Sequence, residues 1–244
     1  MVEDRKVYTS FHDIPPRDYM YFPKGTLEMG KPGKFSRTEI THLLISMGVL
    51  TIAFAFALSG NNLLEGIGGG FSLENLFFYI QLTFLGIITA FFFHELSHKF
   101  MAQKYGLWAE YRMFPKGLSL ALLLGILTPF VFAAPGAVMF RGQVRTFEMG
   151  KIAVAGPLTN IIIAMITLPL LFVFFEDMLL GRIVLFICFI NALLATFNLL
   201  PLGPLDGTKV VRWNATIWII LFIIAVGLMV TIFPYFASTL QTSI

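Results

Sequence analysis

Charged residues are scarce in this chain of 244 amino acids: Asp, Glu, Lys and Arg make up 13% of it, against the ~25% usual for a soluble domain. That scarcity excludes an ordinary water-exposed globule. Cysteine is almost absent, and the lone Cys188 has no partner for an intramolecular disulfide. It lies in an apolar run, where a thiol packs as a small hydrophobe. A strong charge of either sign is missing too. The formal net charge of +3 gives no reason to expect a nucleic-acid partner. No repeat, low-complexity tract or cleavable signal peptide stands out. Residues 1–37 are polar, so the first insertion signal is the first membrane helix itself.

What is abundant is apolar. Hydrophobic residues make up 57% of the chain and the mean hydropathy is +0.81. The apolar residues come in runs long enough to span a bilayer, which takes ~20 residues as a helix. The expected fold is an all-α polytopic membrane protein. It has about five to six transmembrane helices, a re-entrant element, and short strand-like segments on the cytoplasmic side.

Residues 1–38 are polar and basic, with prolines at 15, 16, 23 and 32 that argue against a long helix. They read as a cytoplasmic tail on the membrane surface. The membrane domain follows over 39–235, its first helix at 40–58 with Glu39 in the first turn, then a Gly- and Asn-rich loop over 59–72. A helix over 73–103 carries His94-Glu95-Leu96-Ser97-His98. Core helices are expected at 152–175 and 183–200, a last helix at 215–233, and a tail at 236–244 that lacks Lys and Arg. His12 and His42 show no partner pattern and read as structural or surface residues.

The stretch 109–147 is harder. Its apolar centre, 118–134, is short and broken by Gly125 and Pro129, then Pro135 and Gly136. It is either a third span or a hairpin that enters and leaves on one side, which irregular backbone can do where it is buried in protein. Charge favours the hairpin. In that arrangement 16 of the 17 Lys and Arg residues share the side of the N-terminus and only Arg182 is opposite. If the segment spanned, the split would be 12 against 5. The positive-inside rule selects the first and puts the N-terminus in the cytoplasm.

Two histidines four apart stack on one helix face. They can reach one metal ion, with the intervening Glu95 able to handle a water proton. Ionisable groups inside a membrane helix are expensive, which makes them functional candidates. A catalytic zinc needs a third protein ligand. The acidic residues downstream are Glu110, Glu148, Glu176, Asp177 and Asp206. Glu176 and Asp177 fall at the opposite membrane face, while Glu110 and Glu148 lie in basic interfacial segments and read as solvated charges. Asp206 sits on the histidine side of the membrane. Its stretch holds Pro201, Gly203, Pro204 and Gly207, which break the helix and let the chain bend. It reaches that side only if 118–135 turns back.

These residues resemble the site-2 protease family of intramembrane zinc metalloproteases. The resemblance rests on the His94–His98 motif and, two helices later, on Asn198 through Leu205-Asp206-Gly207. Gly156-Pro157-Leu158-Thr159-Asn160 between them is similar to a further family feature, and the likeness spans roughly residues 73–212. It implies one Zn2+ held by His94, His98 and Asp206, with Glu95 as general base. It also suggests that Asn160 and Asn198 bind substrate backbone or the oxyanion, their alternative role being interhelical hydrogen bonding. An extended substrate would lie beside the strand-like segment containing Val138 and Phe140. The implied partners are a transmembrane protein substrate and the lipid bilayer, with the site toward the cytoplasm. Two other functions compete. A zinc transporter would need ligands at several depths, and the other helices are apolar. An inactive helix-binding relative would have less reason to keep Glu95.

Overall fold

The structure, a computed structural model, describes residues 34–64, 71–132, 134–142, 144–174 and 177–241. The expectations for the tail up to residue 33, for His12, for the loop at 65–70, for Glu176 and for the last three residues fall outside that set. The order is α1 (Arg37–Leu58), α2 (Leu73–Lys104), β1 (Trp108–Met113), α3 (Pro115–Leu127), β2 (Gly136–Arg141), α4 (Thr146–Val173), α5 (Met178–Asn198), α6 (Asp206–Trp213) and α7 (Ala215–Gln241). Among the described residues five helices, α1, α2, α4, α5 and α7, are long and apolar enough to cross a membrane. The chain is an α-helical multi-pass membrane protein with a small two-stranded sheet.

These helices hide little of their apolar surface from their surroundings. Ile219, Ile220, Ile223, Val230 and Phe233 of α7 all point outward, as suits a helix whose solvent is hydrocarbon. The inner faces carry small residues. Ala53, Ala90, Ala164, Ala192, Ala195 and Ala225 are all fully buried, so the helices approach closely. Pro157, Pro169 and Pro234 sit inside α4 and α7, where neighbouring helices compensate the lost backbone bond.

The helix ends differ from the hydropathy reading because polar caps extend them. Helix α4 starts at Thr146 rather than 152, with the Arg145 N–H donating to Glu148 Oε2 at 3.1 Å. Helix α5 starts at Met178 rather than 183, capped by Asp177 Oδ1, which accepts the N–H groups of Leu179 and Leu180. Helix α7 runs on to Gln241.

The troublesome stretch forms a hairpin. β1 and β2 pair antiparallel from Trp108↔Arg141 to Met113↔Gly136, and the Phe114 N–H donates to the Pro135 carbonyl at 2.8 Å. The chain therefore leaves as α3 and returns to the point it left. Helix α3 packs on α1 so tightly that a Cβ on Gly125 would strike the Ala53 backbone, and one on Gly117 would strike the returning Ala134. β1 is buried between helices, whereas every residue of β2 keeps some exposure.

Candidate metal centre

Helix α2 is not uniform. Residues Ile88–Phe92 form a π-helical turn just before the histidines, with the Phe93 N–H reaching back to the Ile88 carbonyl. Such wide turns concentrate at functional sites. Beyond it, His94 and His98 project one turn apart with their Nε2 atoms 3.0 Å from each other. Asp206 opens α6 and brings Oδ2 to 3.0 Å from His98 Nε2 and 3.5 Å from His94 Nε2. All three side chains are buried, and their donor atoms lie within 4.8 Å of one another.

The hydrogen bonds around the rings decide what those donors offer. His94 Nδ1 lies 2.7 Å from Asn160 Oδ1, and His98 Nδ1 lies 2.7 Å from the Ile152 carbonyl. Both oxygens only accept, so each Nδ1 carries the proton and each Nε2 keeps its lone pair. Two lone pairs and a carboxylate oxygen then converge with no hydrogen among them, and a cation at that point satisfies all three. The donor set, two imidazoles and a carboxylate, suits a catalytic transition metal with one position left open. A Cβ on Gly156 would run into both Nε2 atoms, so the α4 backbone forms one wall of the space.

Asp206 is held from behind by Lys209, whose Nζ donates to Oδ1 at 3.0 Å. The Lys209 ammonium beside it favours the charged form of the carboxyl. It stays an anion, as a ligand must. Glu95 reaches the hairpin, where its Oε2 accepts the Val138 N–H at 3.2 Å. Tyr111 lies across the ladder from Val138. Burial, then the nearby Glu95 carboxylate, push its phenol up, so it stays protonated and bonds Ser46 Oγ at 3.0 Å.

The other candidates divide. Val138 reaches the site through its amide. Phe140 lies two residues along the same strand edge, packed against a cluster of Ala102, Leu107, Ala109 and Ile152. Asn160 is completely buried, and its Nδ2 donates to the Ala90 carbonyl at 2.9 Å and to Asn191 Oδ1 at 3.2 Å. With both amide hydrogens committed and Oδ1 on His94, it has no donor for an oxyanion, and its position is that of a group orienting His94. Asn198 donates to the Leu194 carbonyl within α5 at 3.1 Å and is not part of the cluster. Glu110 and Glu148 are not solvated as expected but buried. Glu110 accepts from Ser36 Oγ at 2.7 Å and pairs with Arg112 at 2.6 Å, so protein partners near and far in the chain replace the water.

Sequence reasoning passed over Asn191. It completes the chain behind His94, donating to Thr89 Oγ1 and the Ile187 carbonyl at 3.1 and 2.9 Å. Its signal was present: an amide in the middle of an apolar span. We expect Asn160→Leu to weaken metal binding by about 10–100-fold, the usual cost of losing a partner behind a ligand. Chelator competition would measure this against an unchanged helical circular-dichroism spectrum.

Fold and site together define a multi-pass membrane protein with a HExxH-type cluster of metal-capable side chains at the end of a spanning helix. Comparison with known proteins supplies the family. Over 197 residues the chain is 41% identical to a protein of Methanocaldococcus jannaschii named "Putative zinc metalloprotease MJ0611", covering 80% of this chain and 95% of that one. It is 28% identical over 144 residues to "Zinc metalloprotease MJ0392" of the same organism, covering 59% of this chain and 37% of that one. The chain belongs to this zinc metalloprotease family. No family model and no solved structure matches it.

Proposed function

We propose that the protein is an intramembrane zinc metalloendopeptidase of the site-2 protease type. In this reading it hydrolyses peptide bonds within or next to transmembrane segments of membrane-protein substrates, with its N-terminus and site toward the cytoplasm. One observation carries it: the Glu95 carboxylate meets the outer edge of β2 at the Val138 amide, on the same helix turn as His94 and His98, two of the three converging donors. An extended peptide laid along that edge would present its carbonyls to the base and the metal together.

His94, His98 and Asp206 would hold the zinc, which acidifies a water and polarises a carbonyl when bound. Glu95 takes the water proton as the oxygen attacks the scissile carbonyl carbon. It then delivers that proton to the departing nitrogen as the C–N bond breaks, leaving a carboxyl and an amine. Apolar helices around the site exclude bulk water, which strengthens each of these interactions. A substrate helix shields its peptide bonds with its own hydrogen bonds, so it must unwind first. The outward N–H and C=O groups of β2 give the unwound strand new partners.

The test is cleavage of a panel of single-span substrates by the zinc-loaded protein in liposomes, with products mapped by mass spectrometry. Cuts inside or beside the span are expected, and Phe140→Pro, which removes an outward amide, should lower their rate. Cuts confined to distant soluble segments, or a Phe140→Pro protein as active as wild type, would sink the intramembrane strand-edge mechanism.

A further inference from the structure

Two glutamates from different helices grip one rung of the hairpin from opposite edges. Tyr111 and Val138 are partners in register, and in an antiparallel ladder every second pair turns its N–H groups outward. The Tyr111 N–H donates to Glu39 Oε1 of α1 at 3.0 Å, and the Val138 N–H to Glu95 Oε2 of α2 at 3.2 Å. The two carboxylates are differently supported. Glu39 is fully buried and its Oε2 is ion-paired with Lys99, itself only 1% exposed. Lys99 Nζ also donates to the Lys34 carbonyl at 3.2 Å and stands 3.9 Å over the Phe35 ring.

Lys99 follows His98 directly and lies four residues after Glu95, on the same face of α2. The contacts therefore close a ring. From one turn of α2, Glu95 reaches the β2 edge directly, and Lys99 reaches the β1 edge through Glu39. The hairpin is tied at the same rung on both sides to the helix that carries the metal ligands. Stability alone does not account for such a pair, since buried ion pairs can often be replaced by apolar residues without loss. What the pair adds is a fixed height of the hairpin along α2.

We propose that Glu39 and Lys99 are positioning residues that set this height, and so select which peptide bond of a substrate strand comes opposite Glu95. The inference rests on the strand-edge reading given above. A strand advances about 3.3 Å per residue and restores its facing side chains every two. A loosened hairpin should therefore admit bonds two residues away from the normal one.

Two variants of the full-length, zinc-loaded protein test it, with cut positions and kinetics read on one single-span substrate in liposomes. Glu39→Gln with Lys99→Met removes both charges yet leaves an acceptor for the Tyr111 amide. Glu39→Asp keeps both charges but shortens the reach. We expect each to retain bound zinc, to spread the cuts to bonds two residues from the normal one, and to lower kcat by about 10–100-fold, the scale of a misplacement of about 1 Å, with KM little changed. A zinc-bound variant that keeps the wild-type cut site, kcat and KM overturns the assignment. Loss of zinc in both variants also overturns it, since the pair would then serve folding only. If wild type itself cuts nothing, or Glu95→Gln cuts equally well, the protease reading falls, an outcome distinct from failure of the positioning role.

Discussion

Glu95→Gln should leave the metal in place and lower cleavage by about 10²–10⁴-fold, the usual contribution of a positioned base. At 1.36 kcal/mol per decade that is about 3–5 kcal/mol of transition-state stabilisation. The substitution is nearly isosteric and keeps an oxygen to accept the Val138 N–H, so the hairpin keeps its support. What it removes is the capacity to take a proton. Zinc content by elemental analysis should equal that of wild type while product formation falls. A Glu95→Gln protein that cuts at the wild-type rate would strip Glu95 of its role and leave the metal site without a base.

Asp206→Ala should act on the metal itself. It removes one of three converging donors and the only anion among them, so binding should weaken by more than the ~10–100-fold that loss of a supporting partner costs. Cleavage should fall with it. The fold should survive, because the partner left behind, Lys209, has a side chain 39% exposed and can turn to water. Competition with a chelator would measure the loss, and thermal unfolding would show the scaffold intact. Full-affinity zinc binding after the substitution would remove Asp206 from the ligand set.

The cluster of His94, His98 and Asp206 was legible in the sequence because its signals are local or topological. His94 and His98 announce themselves by spacing alone. The hairpin was legible through the distribution of lysine and arginine, which records the side on which a segment lies even where hydropathy is ambiguous. What stayed hidden depends on partners distant in the chain. Lys99 entered only the tally of basic residues on one side of the membrane, and nothing in its surroundings names Glu39, 60 residues earlier, as its buried partner. Glu110 looked solvated for the same reason, since Ser36, 74 residues away, supplies part of its environment. Asn160 was visible as a polar group at the right depth. Whether it faces substrate or His94 depends on where α4 crosses α2, which no residue pattern encodes. The π-helical turn has no compositional mark at all.

That wide turn has a consequence for the phase of α2. A regular helix advances its side chains by about 100° per residue, and the turn at Ile88–Phe92 holds one residue more than a regular ladder would. The two halves of α2 are thus out of step by about that angle. The N-terminal half aims Tyr79 and Leu82 into the apolar core shared with α5, while the C-terminal half aims His94 and His98 at α4 and Asp206. One helix thereby serves the apolar core along one half and the histidine–Asp206 cluster along the other, and the spare residue sets the offset between the two.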